Sequence, residues 1–171
     1  EQGKALVESN VNMIAFTGSQ AAGKDIMTRA SGQLKRLGME LGGNDPMSGM
    51  HAADIAGAAR FAGASSFENA GQMCISTERI YVDEKIADPF EKHVVEFASR
   101  YQTGPWDMAN VNIGPIINAN QHRKIIEHLR DAEQKGGRVL LGGSEQPERY
   151  IKPTVISDMT TDMLMEQGET F

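Results

Sequence analysis

The chain has 171 residues, of which 40% are hydrophobic and 23% charged, and its net charge is −6. This balance is typical of a globular protein and excludes a disordered or fibrous one. No apolar run reaches the ~20 residues that cross a bilayer and no stretch is polybasic, so we expect neither a membrane nor nucleic acid as a partner. The single cysteine, Cys74, excludes an internal disulfide. It indicates a reducing compartment, which we expect to be the cytoplasm or an organelle such as the mitochondrion.

The two ends of the chain suggest an excerpt from a longer protein. The chain begins at Glu1 without an initiator methionine, and no basic stretch leads into an apolar segment as in a signal peptide. It stops at Phe171, directly after Glu169 and Thr170, without a residue that would end a helix or strand. We therefore expect a fragment, with a processed mature protein as the alternative.

The first part of the chain predicts a strand, a turn and a helix. A short apolar run with polar or glycine neighbours favours a buried strand over a helix. Nucleotide-binding α/β folds use strand, turn and helix in this order to present backbone N–H groups to phosphate. A further turn and a strand follow, the latter weakened by Ser48 and Gly49. The predicted ranges are residues 13–16 for the strand, 17–19 for the turn, 20–31 for the helix, 44–46 for the second turn and 47–50 for the weak strand.

Helices and strands alternate through the rest of the chain. One helix is rich in alanine, and two others carry apolar residues every three or four positions, which predicts one buried face on each. Gly136 and Gly137 are predicted to end the last helix. The predicted helices span residues 53–67, 86–101 and 121–135, and the predicted strands span residues 78–82 and 138–141. This alternation predicts an α/β fold.

Residues 18–24 match the first seven positions of the Walker A pattern, which binds nucleoside triphosphates. The eighth position should offer a Ser or Thr hydroxyl to Mg²⁺, but the chain has Asp25, whose carboxylate would repel the triphosphate. No later apolar strand ends in the Asp that completes such a site. A P-loop NTPase is therefore a remote alternative, and a turn that only packs strand on helix is a second one. The pattern favours a dinucleotide phosphate site at the helix N-terminus.

Cys74 lies in a glycine-containing loop directly after the alanine-rich helix. A lone cysteine is more often a small buried hydrophobe than a nucleophile, but loops placed by rigid elements are where reactive groups tend to lie. A reactive thiolate needs activation, for which a histidine is the first candidate. No histidine is close to Cys74 in sequence, and we expect the histidines to be solvated or capping residues without a metal between them. They are His51, His93, His122 and His128.

Glu40 is the second candidate for chemistry. It lies between Met39 and Leu41 and precedes two glycines. A carboxylate between apolar neighbours can become basic enough to act as a general base. The alternative is an ordinary surface glutamate at the end of a strand.

Four short motifs follow one another in an order known from one enzyme superfamily. They are Phe16-Thr17-Gly18-Ser19, Glu40-Leu41-Gly42-Gly43, Gly71-Gln72-Met73-Cys74 and Glu169-Thr170-Phe171. In these motifs, and over nearly its whole length, the chain resembles the aldehyde dehydrogenase superfamily. Each motif alone is weakly specific, but four in order with compatible spacing are a strong signal.

The resemblance implies oxidation of a small-molecule aldehyde with NAD or NADP. Cys74 would attack the carbonyl to give a thiohemiacetal, and loss of a hydride to the nicotinamide would leave a thioester. Glu40 would activate the water that hydrolyses this thioester. The backbone N–H of Cys74 would supply half of an oxyanion hole.

The resemblance also implies which residues bind the cofactor. Those on the pyrophosphate and adenine side would be Gly18, Ser19 and Gly23. The Leu41 backbone would face the nicotinamide amide, Glu169 the neighbouring ribose, and Phe171 would lie close by. Gln121 and Lys124 would approach the cofactor as well.

The family pattern further implies an aldehyde dehydrogenase-like α/β fold that is incomplete at both ends. Residues 1–41 would end a Rossmann-type NAD(P)-binding domain, and residues 42–171 would form most of the catalytic domain of a homo-oligomer, a dimer or tetramer. A catalytically silent relative and a member that acylates coenzyme A are alternatives, the second disfavoured by Glu40. The stretch from Cys74 to Arg79 resembles members that oxidise semialdehydes.

Overall fold

A computed structural model of the chain describes residues 1–50, 54–144, 146 and 149–171. It divides into two compact units, Glu1–Gly42 and Gly43–Phe171. The boundary expected from the sequence, after residue 41, lies one residue from this division, while the identity of the two units as parts of a cofactor domain and a catalytic domain stays a prediction. Within the described part of the chain, no helix has the length and apolarity needed to cross a membrane.

The first unit is a parallel pair of strands with two helices. Its elements are α1 (Gln2–Glu8), β1 (Met13–Gly18), α2 (Gln20–Ser31) and β2 (Arg36–Leu41). The predicted strand over residues 13–16 is confirmed and continues to Gly18, and the predicted helix over residues 20–31 is confirmed. Val7, Ile14 and Ala30 form the buried core of the unit. This core explains why the short helix α1, which has no strong pattern of its own, is stable here: Val7 buries its side chain in the core.

In the second unit, the described residues form two small sheets and four helices. In chain order its elements are β3 (Asp45–Gly49), α3 (Ile55–Phe67), β4 (Thr77–Val82), α4 (Ala87–Ala98), α5 (Ala119–Gln134), β5 (Arg138–Leu141), β6 (Val155–Ser157) and α6 (Leu164–Gln167). Strands β3 and β4 pair in parallel, and β5 and β6 pair antiparallel. Short 3₁₀ turns cover Glu68–Gly71 and Glu84–Ile86.

Two apolar clusters hold the second unit together. In the first, Ala59 and Ala62 of α3 lie against Phe90 and Val94 of α4, and the β4 side chains Ile80 and Val82 pack on this cluster. The small residues of α3 allow the two helices to approach closely, since a Cβ on Gly63 would lie 2.6 Å from the Phe97 ring. The second cluster joins α5 to the strand β6 and the loop before α5 through Ile116, Ile125, Leu129 and Ile156.

Most of the predicted elements of the second unit are confirmed with shifted ends. The alanine-rich helix begins after Asp54, whose side chain caps it by accepting a hydrogen bond from the Gly57 N–H, and Ala53 lies outside the described residues. The helix predicted to reach residue 101 ends at Ala98, and Tyr101, just beyond it, packs edge-on against Phe97. Helix α5 ends before Gly136, whose φ of +95° takes the chain out of the helix.

The predicted turn over residues 44–46 is wrong at two of its three positions. Asp45 and Pro46 belong to β3, where Asp45 pairs with Thr77 and Pro46 with Arg79, with a register shift between them. A proline is tolerated at the start of a strand, because the missing N–H is least costly there. Tertiary pairing has therefore overridden the local turn preference. The weak strand expected over residues 47–50 does form as far as Gly49.

Candidate active site

Cys74 is exposed at the tip of a turn between α3 and β4. The turn is closed by a 3.0 Å hydrogen bond from the Ser76 N–H to the Met73 carbonyl, which leaves Cys74 and Ile75 as its two central residues. Ser76 itself is buried, and its hydroxyl bonds to the carbonyls of Ser65 and Ser66 at the end of α3. The sulfur is thus accessible while the backbone behind it is fixed to a helix.

The residues that precede this turn are held by two side-chain amides. Three consecutive residues, Asn69, Ala70 and Gly71, have φ values of 51°, 62° and 76°, so the chain makes a left-handed turn before the cysteine. The Asn69 amide donates to the Gln72 carbonyl at 3.1 Å, and the Gln72 amide donates to the Asn69 carbonyl at 3.0 Å. A residue other than glycine in the left-handed conformation lowers the folding stability by about 1 kcal/mol or more. The two reciprocal hydrogen bonds offset part of that cost.

The carboxyl ends of β1 and β2 lie side by side in the first unit. The parallel register places Thr17 opposite Glu40 and Gly18 opposite Leu41, and α2 begins two residues after Gly18. Glu40 is exposed in β2, so its carboxylate is open to solvent rather than enclosed by its apolar neighbours. The structure therefore brings together, at one edge of one sheet, the predicted base and the predicted phosphate-binding turn.

The three residues predicted for the phosphate side have clear local roles. A Cβ on Gly18 would lie 2.6 Å from the Phe16 ring, and a Cβ on Gly23 would lie 2.9 Å from the Leu41 side chain, so both positions require close approach. Ser19 caps α2 by accepting a hydrogen bond from the Ala22 N–H. These contacts account for the residue types without any ligand, and cofactor binding there stays a prediction.

Asp25, at the position where a P-loop needs a hydroxyl, is engaged in an ion pair. Its carboxylate accepts a 2.9 Å hydrogen bond from Arg29, which also pairs with Glu8 at 2.6 Å. The Arg29 guanidinium holds the pKa of Asp25 below its ordinary value. The side chain is a partner of Arg29 and offers no hydroxyl for Mg²⁺.

Two of the predicted nicotinamide-side residues, Glu169 and Phe171, lie in a segment after α6, residues 168–171, that is bound by three side chains, while the third, Leu41, ends β2 in the first unit. Glu78 of β4 accepts hydrogen bonds of 2.7 Å from the Thr170 N–H and the Phe171 N–H. The Gln121 amide donates to the Thr170 carbonyl at 2.7 Å and also to that of Phe171. The His128 ring nitrogen Nδ1 lies 3.0 Å from the Thr170 hydroxyl.

One oxygen of Glu169 has no partner. Its Oε1 is buried and makes no hydrogen bond among the described residues. Buried carboxylate oxygens rarely stay unpaired, because desolvation without a hydrogen bond is costly. Lys124, which is also predicted to approach the cofactor, is close enough to act on Glu78 and His128: burial raises the pKa of Glu78 against the opposing charge of Lys124, and burial followed by this charge lowers the pKa of His128. An unpaired acceptor at the predicted ribose-binding residue fits a ligand that carries hydroxyl groups.

The contacts of two residues were not predicted from the sequence, and a third residue was misjudged. Gln72 and Glu78 stand in stretches that carry the family resemblance, but their hydrogen bonds go to backbone far along the chain, which no local pattern indicates. His128 is not a solvated or capping residue as expected: it is buried, and burial, followed by the charge of Lys124, lowers its pKa. His93 is exposed near Glu96, and the Nε2 of His122 is buried without a described partner. The expectation for His51 lies outside the described residues.

No hydrogen bond joins Cys74 to a histidine within residues 1–50, 54–144, 146 and 149–171. Over the same residues, no three His, Cys, Asp or Glu side chains are grouped as a metal site would require. A cavity of about 570 Å³ in the second unit lies between β4 and β6 and is lined in part by Glu78, Thr170 and Phe171. Cys74 does not line it, so this cavity is not a pocket around the predicted nucleophile.

Comparison with known proteins places this geometry in a family. The family model described as "Aldehyde dehydrogenase family" matches residues 1–171. The chain is 39% identical over 163 residues to a probable NADP(+) succinate-semialdehyde dehydrogenase of Sinorhizobium fredii, covering 94% of this chain and 33% of that protein. It is 38% identical over 165 residues to the cytosolic aldehyde dehydrogenase 1 of Elephantulus edwardii, covering 95% and 33%. The chain thus spans about a third of the length of these relatives.

Solved structures agree on the fold. An NADP-dependent enzyme of E. coli superposes with a TM-score of 0.93 at 33% identity, covering 98% of this chain and 36% of that one. A mutant of aldehyde dehydrogenase C from Pseudomonas syringae, solved with NAD⁺ and octanal, gives a TM-score of 0.92 at 26% identity, covering 97% and 36%. The α/β fold expected from the sequence is confirmed.

Proposed function

Because the chain belongs to the aldehyde dehydrogenase family, we propose that the complete protein oxidises an aldehyde to a carboxylic acid with NAD⁺ or NADP⁺. The observation that carries the proposal is the exposed Cys74 on a turn whose backbone is fixed by Ser76 and Gln72. A nucleophile must be accessible and also held in one place, since proximity and orientation supply much of the rate. The activity is proposed for the complete protein, because the chain spans about a third of its relatives.

Cys74 would form the covalent intermediates. Its thiolate adds to the carbonyl carbon, a C–S bond forms, and the carbonyl electron pair becomes the oxyanion of a thiohemiacetal. The backbone N–H of Cys74 would donate to this oxyanion. When the C–H bond of that carbon releases its hydride, the oxygen lone pair restores the carbonyl and a thioester remains on Cys74. Thiolate suits both roles, because it attacks well and leaves well.

Glu40 would act in the second half of the reaction. Its carboxylate takes a proton from water, the hydroxide adds to the thioester carbonyl, and the C–S bond breaks with Cys74 leaving as thiolate. The products are a carboxylic acid and the free enzyme. Exposure of Glu40 to solvent supports this role, because the base must reach a water molecule.

The residues present fit a nicotinamide dinucleotide. The cofactor, when bound, supplies the hydride acceptor. Gly18, Ser19 and Gly23 would hold its pyrophosphate side at the N-terminus of α2, where helix ends favour anions. Leu41 would face the nicotinamide amide. The buried, unpaired Oε1 of Glu169 would accept a hydrogen bond from a ribose hydroxyl, with Phe171 close by.

Several further assignments follow from the family and stay proposals. Residues 1–41 would end the cofactor domain and residues 42–171 would form most of the catalytic domain. The complete protein would be a homo-oligomer, a dimer or tetramer, in the cytoplasm or an organelle, without nucleic acid or membrane as partner. Residues 1–171 alone would have no turnover, since they cover 33% of the relative from Sinorhizobium fredii.

A semialdehyde is the substrate class we test first. The stretch from Cys74 to Arg79 resembles members of this kind, and four relatives carry the name succinate-semialdehyde dehydrogenase. Other relatives are named for 3-sulfolactaldehyde or lactaldehyde, so the set of aldehydes to be tested, the aldehyde panel, includes these compounds as well. A relative that acylates coenzyme A or is catalytically silent is disfavoured by the presence of both Cys74 and Glu40, and family membership leaves the P-loop NTPase without support.

The test uses the complete protein, NAD⁺ or NADP⁺, and the aldehyde panel. We expect absorbance of the reduced nicotinamide to grow with the preferred aldehyde, and Cys74→Ala and Cys74→Ser to abolish this growth while leaving cofactor binding in place. Gly3→Ala, at an open position of α1, is the control variant and should be fully active. Turnover that survives Cys74→Ala would overturn the nucleophile assignment. No turnover with any aldehyde of the panel would contradict the proposed activity.

A further inference from the structure

Glu78 uses its whole carboxylate to hold the segment that carries Glu169. Oε2 accepts from the Thr170 N–H and Oε1 from the Phe171 N–H, each at 2.7 Å, which is the short distance expected for bonds to a charged acceptor. Both bonds go to backbone. The contact therefore fixes the path of the chain at residues 170 and 171, whatever their side chains are.

The strand that carries Glu78 is held in place by hydrogen bonds of its neighbouring residues. Glu78 is the second residue of β4, and its neighbours in the strand are tied down: Arg79 donates to the Asn44 carbonyl at 2.7 and 3.1 Å, and the Thr77 carbonyl accepts from the Ser66 hydroxyl at 2.7 Å. The turn of Cys74 leads directly into the same strand. Strand β4 thus begins directly after the turn that carries Cys74, and its second residue, Glu78, binds the backbone of residues 170 and 171.

Two side chains of helix α5 bind the remaining polar groups of Thr170. Gln121 donates to the Thr170 carbonyl at 2.7 Å, and Nδ1 of His128 meets the Thr170 hydroxyl at 3.0 Å. With Glu78 on the amide, every polar group of Thr170 has a partner. The adjacent Glu169 has none for its buried Oε1. The polar contacts therefore converge on the residue next to Glu169 and leave one oxygen of Glu169 free for a ligand.

Burying the charged carboxylate of Glu78 costs folding free energy. Burial raises the pKa of Glu78, and the negative charge of Glu169 adds to this effect, while the two backbone bonds and Lys124 oppose it. An apolar side chain would fill the space without that cost, and buried charges of this kind are weak contributors to stability. A polar group that is expensive to bury and that bonds only to backbone serves to fix the position of that backbone.

We infer that Glu78 is a positioning residue that fixes residues 169–171 so that Glu169 presents its free oxygen to the ribose of the nicotinamide cofactor. The inference rests on the proposed function. Glu78 itself need not touch cofactor or aldehyde. Its effect is on cofactor affinity, through the geometry of Glu169.

The matched control is Glu133, another half-buried clamp in the same unit. Its Oε1 accepts from the Ser144 N–H at 2.7 Å and its Oε2 from the Ser144 hydroxyl at 2.6 Å, so it also holds a distant segment with both oxygens. That segment follows β5 and contains none of the residues proposed to bind cofactor. Glu78→Gln and Glu133→Gln remove one charged acceptor each, and Glu78→Ala removes the clamp entirely.

Four measurements on the complete protein test the inference. Amide hydrogen exchange should become at least about tenfold faster at residues 169–171 in Glu78→Gln, because an amide nitrogen replaces one acceptor. The Kd of reduced cofactor, from nicotinamide fluorescence, should rise about tenfold or more in Glu78→Gln and further in Glu78→Ala. The KM for cofactor should rise likewise, while the rate of Cys74 alkylation by iodoacetamide should stay unchanged. Glu133→Gln should leave all four values as in the parent protein.

The outcomes separate the inference from the proposed function. Faster exchange at residues 169–171 with weakened cofactor binding in the Glu78 variants alone supports the inference. An unchanged Kd in Glu78→Gln overturns it, as does equal weakening in Glu133→Gln, which would indicate a general loss of stability. If Glu78→Ala fails to fold, Glu78→Gln decides. A parent protein that binds cofactor but oxidises no aldehyde would contradict the proposed function and leave this binding test intact.

Discussion

The side-chain oxygen of Gln72 accepts a 2.8 Å hydrogen bond from the backbone N–H of Ile117, 45 residues further along the chain. The Gln72 amide also lies 3.4 Å from the Pro115 carbonyl. Gln72 thereby joins the turn that carries Cys74 to the loop before α5. The position of the nucleophile depends on packing between distant segments, and not on its own turn alone.

Replacing Gln72 should loosen this turn. We expect Gln72→Ala to lower kcat about tenfold, because loss of these bonds costs about 1 kcal/mol each and frees the cysteine from one geometry. The KM for cofactor should change little. Steady-state kinetics of the complete protein measure both values. Gln146→Ala is the control: Gln146 also bridges two backbone segments, through the Gly143 carbonyl and the Lys152 N–H, but away from Cys74. Equal loss of kcat in both variants would contradict the prediction.

Removing the base should trap the thioester. We expect Glu40→Gln to keep the first half of the reaction and to slow hydrolysis by about 10²-fold or more, since general base catalysis typically contributes that much. Mass spectrometry after mixing with aldehyde and NAD(P)⁺ should then show an acyl adduct on Cys74, with one burst of reduced cofactor. Glu8→Gln, which alters another exposed carboxylate of the first unit, should show no adduct. Absence of the adduct in Glu40→Gln would argue against its role.

Gly142 occupies a position that no side chain fits. Its φ is +74°, and a Cβ there would lie 2.3 Å from the Thr154 hydroxyl oxygen and 2.5 Å from the Pro153 carbonyl oxygen. Gly136 has a φ of +95° but open space around it. Gly136→Ala should therefore cost about 1 kcal/mol of unfolding free energy from the backbone alone. Gly142→Ala should cost about 2 kcal/mol more because of the clash. Denaturant unfolding measures both, and equal losses would show that the clash is relieved.

The His128 contact with Thr170 should weaken in mild acid. The pKa of His128 lies below its ordinary value of 6.5, first because of burial and then because of Lys124, against Glu127 and Asp131. The unfolded chain therefore takes up this proton first, so the stability from neutral His128 is present above about pH 6.5 and is lost as pH falls toward the depressed pKa. We expect Tm to fall between about pH 7 and about pH 5.5.

His128→Gln should flatten that dependence, because glutamine does not titrate. His93→Gln, at an exposed position, should leave the slope as in the parent protein. The slope of Tm against pH in the two variants is the measurement. The prediction fails if the His93 variant loses the slope and the His128 variant retains it.

Elements with a strong pattern of their own could be predicted from the sequence. The apolar spacing of α4 places Phe90 and Val94 in the core, and the cap of α3 at Asp54 follows from ordinary capping chemistry. Strand β6, with three residues, is defined only by pairing with β5. The local preference of Asp45 and Pro46 for a turn is overridden by pairing with β4. Short elements of this kind have too few residues to carry a periodic signal.

The same contrast holds for the site. Cys74 and Glu40 were predicted as nucleophile and base from motifs that contain nearby glycines. The hydrogen bonds of Gln72, His128 and Glu78 were not predicted, because their partners lie 45, 42 and 92 residues away in sequence. A side chain that bonds to distant backbone has no local pattern. Contacts of this kind become visible only when the fold is known.

The parallel pairing of β1 with β2 has a consequence for how the proposed activity could be adjusted. Because Thr17 lies directly opposite Glu40, the side chain at position 17 is the nearest cross-strand neighbour of the proposed base. A charge introduced at this one position would act on Glu40 from the side, without altering the glutamate or the strand that carries it. Position 17 would thus be a site at which the thioester hydrolysis proposed for Glu40 can be tuned.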